Sequence, residues 1–259
     1  MSVSSPAPCA GRFLAFDTST ERLSLALTDG RQVWHEDQPG GAQASLTLIP
    51  SLLALLSRAG MALDSLDAIV FGRGPGSFTG LRTACAVAQG LALGAGRQVL
   101  PVDTLLAVAE AARFEQMAAQ PGLQEVQVLA LLDARMDEVY SAHHAWDADQ
   151  GWRCLRELRV GPPESLEAAL PPQVLVAGNV QQAYGQRLPG GMVCRPAWPD
   201  ALALLRLAPA LLARGEAVPP DEAVPLYIRD KVAQTTAERA LQRSARLAAP
   251  AASAPHEAP

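Results

Sequence analysis

Hydrophobic and polar positions along this chain fall into two successive waves, each opening at strand period and closing at helix period. In the first wave, residues 12–17 form a continuous apolar run ending at Asp17, which predicts a buried strand. Residues 23–28 alternate and predict a second strand, and Asp29-Gly30 is a hairpin signal leading to a third at 32–36. An apolar period of 3.6 at 44–58, closed by Gly60, predicts a helix, with Pro50 expected to kink it or delay its start. A strand at 67–71, the loop 72–76, a small-residue helix reaching Gly94 and a strand at 98–102 follow. Asp103 is placed to cap the next helix.

The second wave repeats that order. A strand at 126–132 ends at Asp133, the turn 134–136 follows, and strands are expected at 138–145 and 153–160. A short helix at 164–170, a strand at 174–177, a turn at Gly178-Asn179, a further short helix and a strand come next. The last helix runs from its cap Asp200 to Gly215, with Pro209 interrupting the pattern. Each half thus reads β-β-β-α-β-α-β-α with an aspartate ending its first strand, and a two-fold duplication with a cleft between lobes is the simplest account. The alternative is one large α/β sheet whose element order repeats by chance. The expected division is a flexible N-terminus at 1–11, a first lobe at 12–105, a second lobe at 106–236 and a disordered, Ala/Pro/Ser-rich tail at 237–259.

Composition narrows the function classes. The 259 residues are 49% hydrophobic, enough for one large core or two modest ones. No apolar run is long enough to span a bilayer, and the first residues lack the cationic start of a secretory signal. Cys9, Cys85, Cys154 and Cys194 are far apart, as expected of reduced thiols in a cytoplasmic protein. The net charge of −5 and the absence of a Lys/Arg run argue against a protein that grips nucleic acid by itself.

Two stretches are candidates for chemistry. Asp17-Thr18-Ser19-Thr20 places small hydroxyl residues in a tight turn, which suits a phosphate or an ordinary hairpin. The segment GRGPGSFTGLR at 72–82 is more specialised. Gly72, Gly74 and Gly76 free the backbone, Pro75 fixes φ between two of them, and Ser77 or Thr79 can cap the helix that follows. Arg73 and Arg82 add charge, but no Lys-Ser/Thr pair makes it a P-loop. On that helix Gly80, Ala84, Ala88 and Ala92 form one small stripe, and Ala86, Gly90 and Gly94 form another. With Leu46, Ile49 and Leu53 on the preceding helix, they predict a surface for a protein partner as well as contacts with the chain's own sheet. His35, His143, His144 and His256 include no i,i+4 pair, so no metal site is expected. Asp17 and Asp133 could face each other across the cleft.

The stretches FLAFDTST (13–20), GRGPGSFTGLR (72–82), AQGLALG (88–94), LDARMDEVY (132–140) and PLYIRD (225–230) strongly resemble the TsaB, or YeaZ, family, and the resemblance runs from about residue 12 to about residue 238. It implies the actin/hexokinase/Hsp70-like (ASKHA) α/β fold, two RNase H-like lobes of β-β-β-α-β-α order. It also implies membership of the bacterial complex that makes N6-threonylcarbamoyladenosine in tRNA. In that complex the paralogue TsaD is catalytic, TsaE is the ATPase, and TsaB docks on TsaD through first-lobe helices or pairs with itself when alone. tRNA is then reached only indirectly, and ATP or ADP is expected, if at all, only in the complex.

The residues depart from an active member of that superfold. The second-lobe phosphate turn reads Asp133-Ala134-Arg135, with a bulky side chain where glycine lets a nucleotide approach. Ala177-Gly178, followed by Asn179, supplies one glycine where the adenosine strand has two. The stretch AQASLT at 42–47 lacks the histidine pair that holds the catalytic paralogue's metal. The expectation is therefore a degenerate cleft (Asp17, Thr18, Ser19, Asp133, Gly178, Asn179), no catalytic residue, no metal and no cofactor required by this chain. The competing expectation is an active ATPase or kinase using Asp17, Thr18 and Asp133 around magnesium.

Overall fold

In the computed structural model, residues 10–166, 170–171 and 173–228 are described. The expected tail at 237–259, most of the expected flexible N-terminus, the end of the PLYIRD motif and part of the short helix expected at 164–170 lie outside them. Strand β1 (Phe13–Asp17) is buried throughout, because it is flanked by a strand on each side and by helices on both faces. It pairs antiparallel with β2 (Arg22–Thr28), which pairs antiparallel with the half-exposed edge β3 (Val33–Pro39). In the hairpin between them, Asp29 Oδ1 accepts from the N–H groups of Arg31 (2.8 Å) and Gln32 (2.7 Å).

On its other side β1 pairs parallel with β4 (Ala68–Gly74), which pairs parallel with β5 (Gln98–Asp103). The first sheet therefore runs β3-β2-β1-β4-β5. The second half builds β6 (Glu125–Arg135), β7 (Glu138–Asp147), β8 (Gly151–Gly161), β9 (Val174–Gly178) and β10 (Arg195–Pro196) into a sheet ordered β8-β7-β6-β9-β10. The two orders are the same, so the repeated pattern reflects a repeated fold, and the single large sheet is excluded. Both sheets belong to one compact unit that ends at Ile228.

Helices α1 (Ala44–Ala59) and α2 (Phe78–Ala95) cover one face of the first sheet. Leu48, Leu52, Leu55 and Leu56, with Ala84, Ala88 and Ala92, pack there on Leu14, Phe16, Leu25 and Phe71. Each fully buried Leu or Phe contributes about 1.5–3 kcal/mol. Helices α3 (Thr104–Ala119) and α5 (Ala201–Ala213) lie between the sheets and are exchanged. From the first half, α3 packs Leu105, Val108 and Ala112 on the second sheet, and α5 packs Leu204, Leu207 and Leu211 on the first. Among the described residues, the outer face of the second sheet carries α4 (Gln181–Tyr184), 3-10 turns and loops over Leu129, Leu131, Val139 and Val176.

Three local expectations change. Helix α1 runs through Pro50 without a break, with Pro50 on its exposed side. Helix α5 likewise continues through Pro209, with Asp200 Oδ1 accepting from Ala203 N at 2.6 Å as its cap. Asp103 stands at the start of α3 but does not cap it, because its carboxylate is drawn to Arg73 Nε at 2.6 Å. Among the described residues no helix is long and apolar enough to cross a membrane.

One contact that no short-range pattern announces locks the centre. Glu110 on α3, 2% exposed, accepts from Arg113 Nε (2.8 Å) and Nη2 (2.7 Å), Arg206 Nε on α5 (2.8 Å) and Trp152 Nε1 on β8 (2.9 Å). A buried carboxylate is tolerable only when paired and hydrogen-bonded in this way. Its partners join both exchanged helices to the second sheet.

Candidate functional site

The first acidic turn is closed by the chain itself. Asp17, Thr18, Ser19 and Thr20 are all buried. Asp17 Oδ1 accepts from Ser19 N (2.8 Å) and Ser19 Oγ (2.6 Å), while Oδ2 is buried without a hydrogen-bond partner. Burial pushes the Asp17 carboxyl up to about 6; the Ser19 hydrogen bonds pull it down and the charge of Asp200 adds to the rise. The N-terminus of α2 sits directly on this turn. Thr18 Oγ1 donates to the Gly80 carbonyl (2.8 Å), and Ser77 N donates to the Ser19 carbonyl (2.7 Å). A Cβ at Gly80 would collide with the Thr18 carbonyl, and one at Gly72 with the Asp17 carboxylate. These two glycines therefore let helix and strand close on the turn. A phosphate needs open N–H groups at such a place, and here the Ser19 and Ser77 N–H groups are spent on Asp17 and the Ser19 carbonyl.

The rest of the glycine-rich segment is also spent on internal contacts. Arg73 pairs with Asp103, its carbonyl accepts from Leu226 N (2.8 Å), and Gly74 N donates to Thr104 Oγ1 (3.1 Å). Gly76 lies against the Ser19 backbone, and Ser77 Oγ caps α2 through Gly80 N at 3.5 Å. Pro75 lines a cavity of about 480 Å³ with Asp103, His144 and Leu226. Thr79 is exposed, with its carbonyl accepting from Thr83 Oγ1 (3.0 Å). Arg82 lies over the Phe78 ring, 3.9 Å from its centroid, and donates to Tyr227 Oη at 3.0 Å.

The second acidic turn is occupied differently. Asp133 N donates to Asn179 Oδ1 (2.8 Å), and Asp133 Oδ1 accepts from Tyr184 Oη (3.0 Å) and Arg135 N (2.7 Å). Its other oxygen pairs with Arg135 Nη1 at 2.9 Å. The proximity of Asp133 and burial push the Tyr184 phenol up to about 12, burial being the larger cause. Arg135, Met136 and Asp137 all take positive φ to turn the β6–β7 hairpin, and Gly178 lies against the Leu131 carbonyl. Asp17 and Asp133 share no hydrogen-bond partner among the described residues.

The two stripes of small residues on α2 separate cleanly. Gly80, Ala84, Ala88 and Ala92 are buried, the alanines in the core beneath α1 and α2, which removes them from any partner surface. The reason is their position over β4, where Phe71 and Ile69 occupy the space beneath them. Ala86, Gly90 and Gly94 are the exposed stripe. On α1, Leu46 is 77% exposed, and Ile49 and Leu53 are also open.

Four residues outside the sequence-derived set are also exposed: Phe78 and Leu93 on α2, and Val224 and Tyr227 after the second half. Val224 and Tyr227 belong to a strap that follows the second half yet packs on the first. Val218 pairs with Val99, and the Ala223 carbonyl accepts from Gln89 Nε2 (2.9 Å) and Cys85 Sγ (3.2 Å). Phe78 and Tyr227 stack at 5.3 Å between centroids. A Phe at the first, solvent-side turn of a helix is the sequence signal for this patch; the strap gives none, because its partners lie more than 130 residues away.

Comparison with known proteins gives a consistent result. The family described as TsaD, tRNA N6-adenosine threonylcarbamoyltransferase, matches residues 40–151. A protein from Haemophilus influenzae, "tRNA threonylcarbamoyladenosine biosynthesis protein TsaB", is 34% identical over 231 residues, 85% of this chain and 94% of its own length. Its Escherichia coli counterpart of the same name is 33% identical over 86% of this chain and 96% of its own. Among solved structures, "YeaZ from Pseudomonas aeruginosa" superposes with a TM-score of 0.71 at 37% identity, covering 84% of this chain and all of that one.

Proposed function

The chain belongs to the TsaB family of tRNA threonylcarbamoyladenosine biosynthesis proteins, and from that premise we propose that it is a non-catalytic subunit of the tRNA-modifying complex, docking on the catalytic subunit TsaD and working with TsaE. The observation that carries this reading is the closure of the Asp17 turn by α2, which leaves no open cradle for a triphosphate. The occupied Asp133 turn supports it from the other half. The docking surface on this reading is the exposed apolar side of α1 and α2, which includes Leu46, Ile49, Leu53 and Leu93. Apolar patches of this kind on a soluble domain mark protein contacts. ATP or ADP, if it binds, does so in the assembled complex.

Reconstitution tests the proposal. The chain alone is expected to hydrolyse ATP negligibly and to leave tRNA unmodified. TsaD, TsaE, tRNA, ATP and threonylcarbamoyl-adenylate are expected to yield modified tRNA only when the chain is added. Full modification in its absence would refute the reading.

A further inference from the structure

A cavity of about 480 Å³ lies where the start of α3, strands β7 and β8 and the strap after the second half come together. Every residue lining it is among the described ones, and none belongs to either acidic turn. Its wall is mostly apolar, with Leu105 and Leu106 from α3, Trp152 and Leu158 from β8, and Leu226 and Ile228 from the strap. Sites for small molecules have this character and a volume of about 300–1,000 Å³. Three parts of the wall are held from outside the cavity. Trp152 Nε1 donates to Glu110 Oε2 (2.9 Å), Asp103 accepts from Arg73 Nε (2.6 Å), and Leu226 N donates to the Arg73 carbonyl (2.8 Å). On the strap Leu226 and Ile228 line the cavity, while Tyr227 between them stacks on Phe78 of α2. A cavity fixed in this way is formed before any ligand arrives.

One polar ring in that wall is left without a partner. His144 is 7% exposed, and its Nε2 is buried with no hydrogen bond. Trp152 stands edge-on to it, with 6.1 Å between ring centroids and 87° between planes. Burial brings the imidazole down to about 4, against the charge of Asp103 and with that of His143, so at neutral pH the ring is uncharged. A buried polar atom without a partner is costly and uncommon in a native fold. Cys154, opposite His144 in the β7–β8 register, is exposed and lines the same space. Burial, then the charges of Glu157 and Asp103, push its thiol up, so it too is uncharged. The charged residues of the wall balance, Arg153 and Arg214 against Asp103 and Glu157.

We propose that this cavity binds an uncharged aromatic small molecule bearing a hydroxyl, its ring beside Trp152 and its hydroxyl on the His144 imidazole. The balanced charge of the wall favours a neutral ligand over an anion or a cation. The fixed indole of Trp152 offers a flat apolar surface to an aromatic ring. A neutral imidazole has one donor and one acceptor nitrogen, and a hydroxyl can serve either. The terminal torsion of histidine is soft, so the ring can turn its unpartnered nitrogen toward the ligand. The site is separate from the docking role proposed above, which gives this chain no small molecule of its own.

The test titrates the full-length chain with 2-naphthol and with naphthalene, which differ only in the hydroxyl, by calorimetry at neutral pH. 2-Naphthol is expected to bind about fivefold more tightly, the worth of one hydrogen bond. His144→Phe should bring the two probes to equal affinity. Cys154→Trp, which fills the cavity from an exposed position, should abolish binding of both while the melting temperature is unchanged. In the wild-type chain, saturating 2-naphthol should all but stop alkylation of Cys154 by N-ethylmaleimide, read by peptide mass spectrometry. That measurement needs no variant, so it decides the matter even if His144→Phe fails to fold. Equal affinity of the wild-type chain for the two probes, or alkylation untouched by saturating 2-naphthol, would overturn the proposal. So would binding that survives Cys154→Trp but falls with Leu46→Glu, which would put the probes on the apolar side of α1 and α2. None of these measurements reads tRNA modification, so the docking role stands or falls apart from them.

Discussion

The two halves share one strand order and differ in what lies over their outer faces. The first sheet is covered by sixteen- and eighteen-residue helices, whose inner sides complete a leucine- and alanine-rich core and whose outer sides expose Leu46, Leu53 and Leu93. Over the second, among the described residues, the corresponding positions hold a 3-10 turn and a four-residue helix, and β8 exposes Arg153, Arg156 and Arg159. The acidic turns differ in the same sense. Asp17 is sealed under a long helix, which raises its carboxyl to about 6, whereas Asp133 stays nearer the surface, bound by Arg135 and Tyr184. The repeated strand framework thus carries two different outer coverings.

The comparison can be broken in several ways. Ala88→Glu puts an unpaired carboxylate beneath α2 and is expected to cost more than about 4 kcal/mol, enough to abolish folding, whereas Gly90→Glu on the outer side of the same helix should melt within about a degree or two of wild type or above it. Chemical denaturation of the pair checks this. Glu110→Ala removes the link between the exchanged helices and β8, leaving two arginines without their carboxylate, and is expected to cost about 3–5 kcal/mol by the same measurement. If the loss is small, the halves do not depend on that junction.

The third prediction sets the two aspartates against each other. The native Asp17 carboxyl titrates at about 6 against 3.8 for the unfolded chain, so between those values the native state binds more proton. Stability contributed by this group is then present below about pH 4, falls as pH rises to about 6 and is level above it, by at most about 3 kcal/mol. Asp17→Asn should remove that slope and match or exceed wild-type stability at pH 7. Asp133→Asn should lose about 1 kcal/mol, because it weakens a hydrogen-bonded ion pair. Melting curves across pH would contradict the account if the two changes had the same sign.

Much of this architecture is legible in the amino-acid pattern. The continuous run 13–17, the Asp29-Gly30 hairpin and the apolar period of α1 each follow from local propensity, and the repeated order of elements exposes the duplication. The choice between two small-residue stripes on α2 is not local. Both satisfy the same spacing, and only the position of Phe71 and Ile69 on β4 decides which is buried. Tyr184 reaches Asp133 across 51 residues of sequence, and Arg82 reaches Tyr227 across 145. The register shifts between β7 and β8 are visible only once the two strands are paired. Helix spacing misleads for Pro50 because its effect depends on which side of the helix it occupies.

The most direct test is whether the outer face of α1 and α2 can be spoiled without harming the fold. Leu46→Glu and Leu53→Glu together, followed by native mass measurement with the catalytic subunit, should abolish the heterodimer and tRNA modification while the melting temperature stays at the wild-type value. An intact heterodimer formed by that doubly charged chain would contradict the assignment of this face.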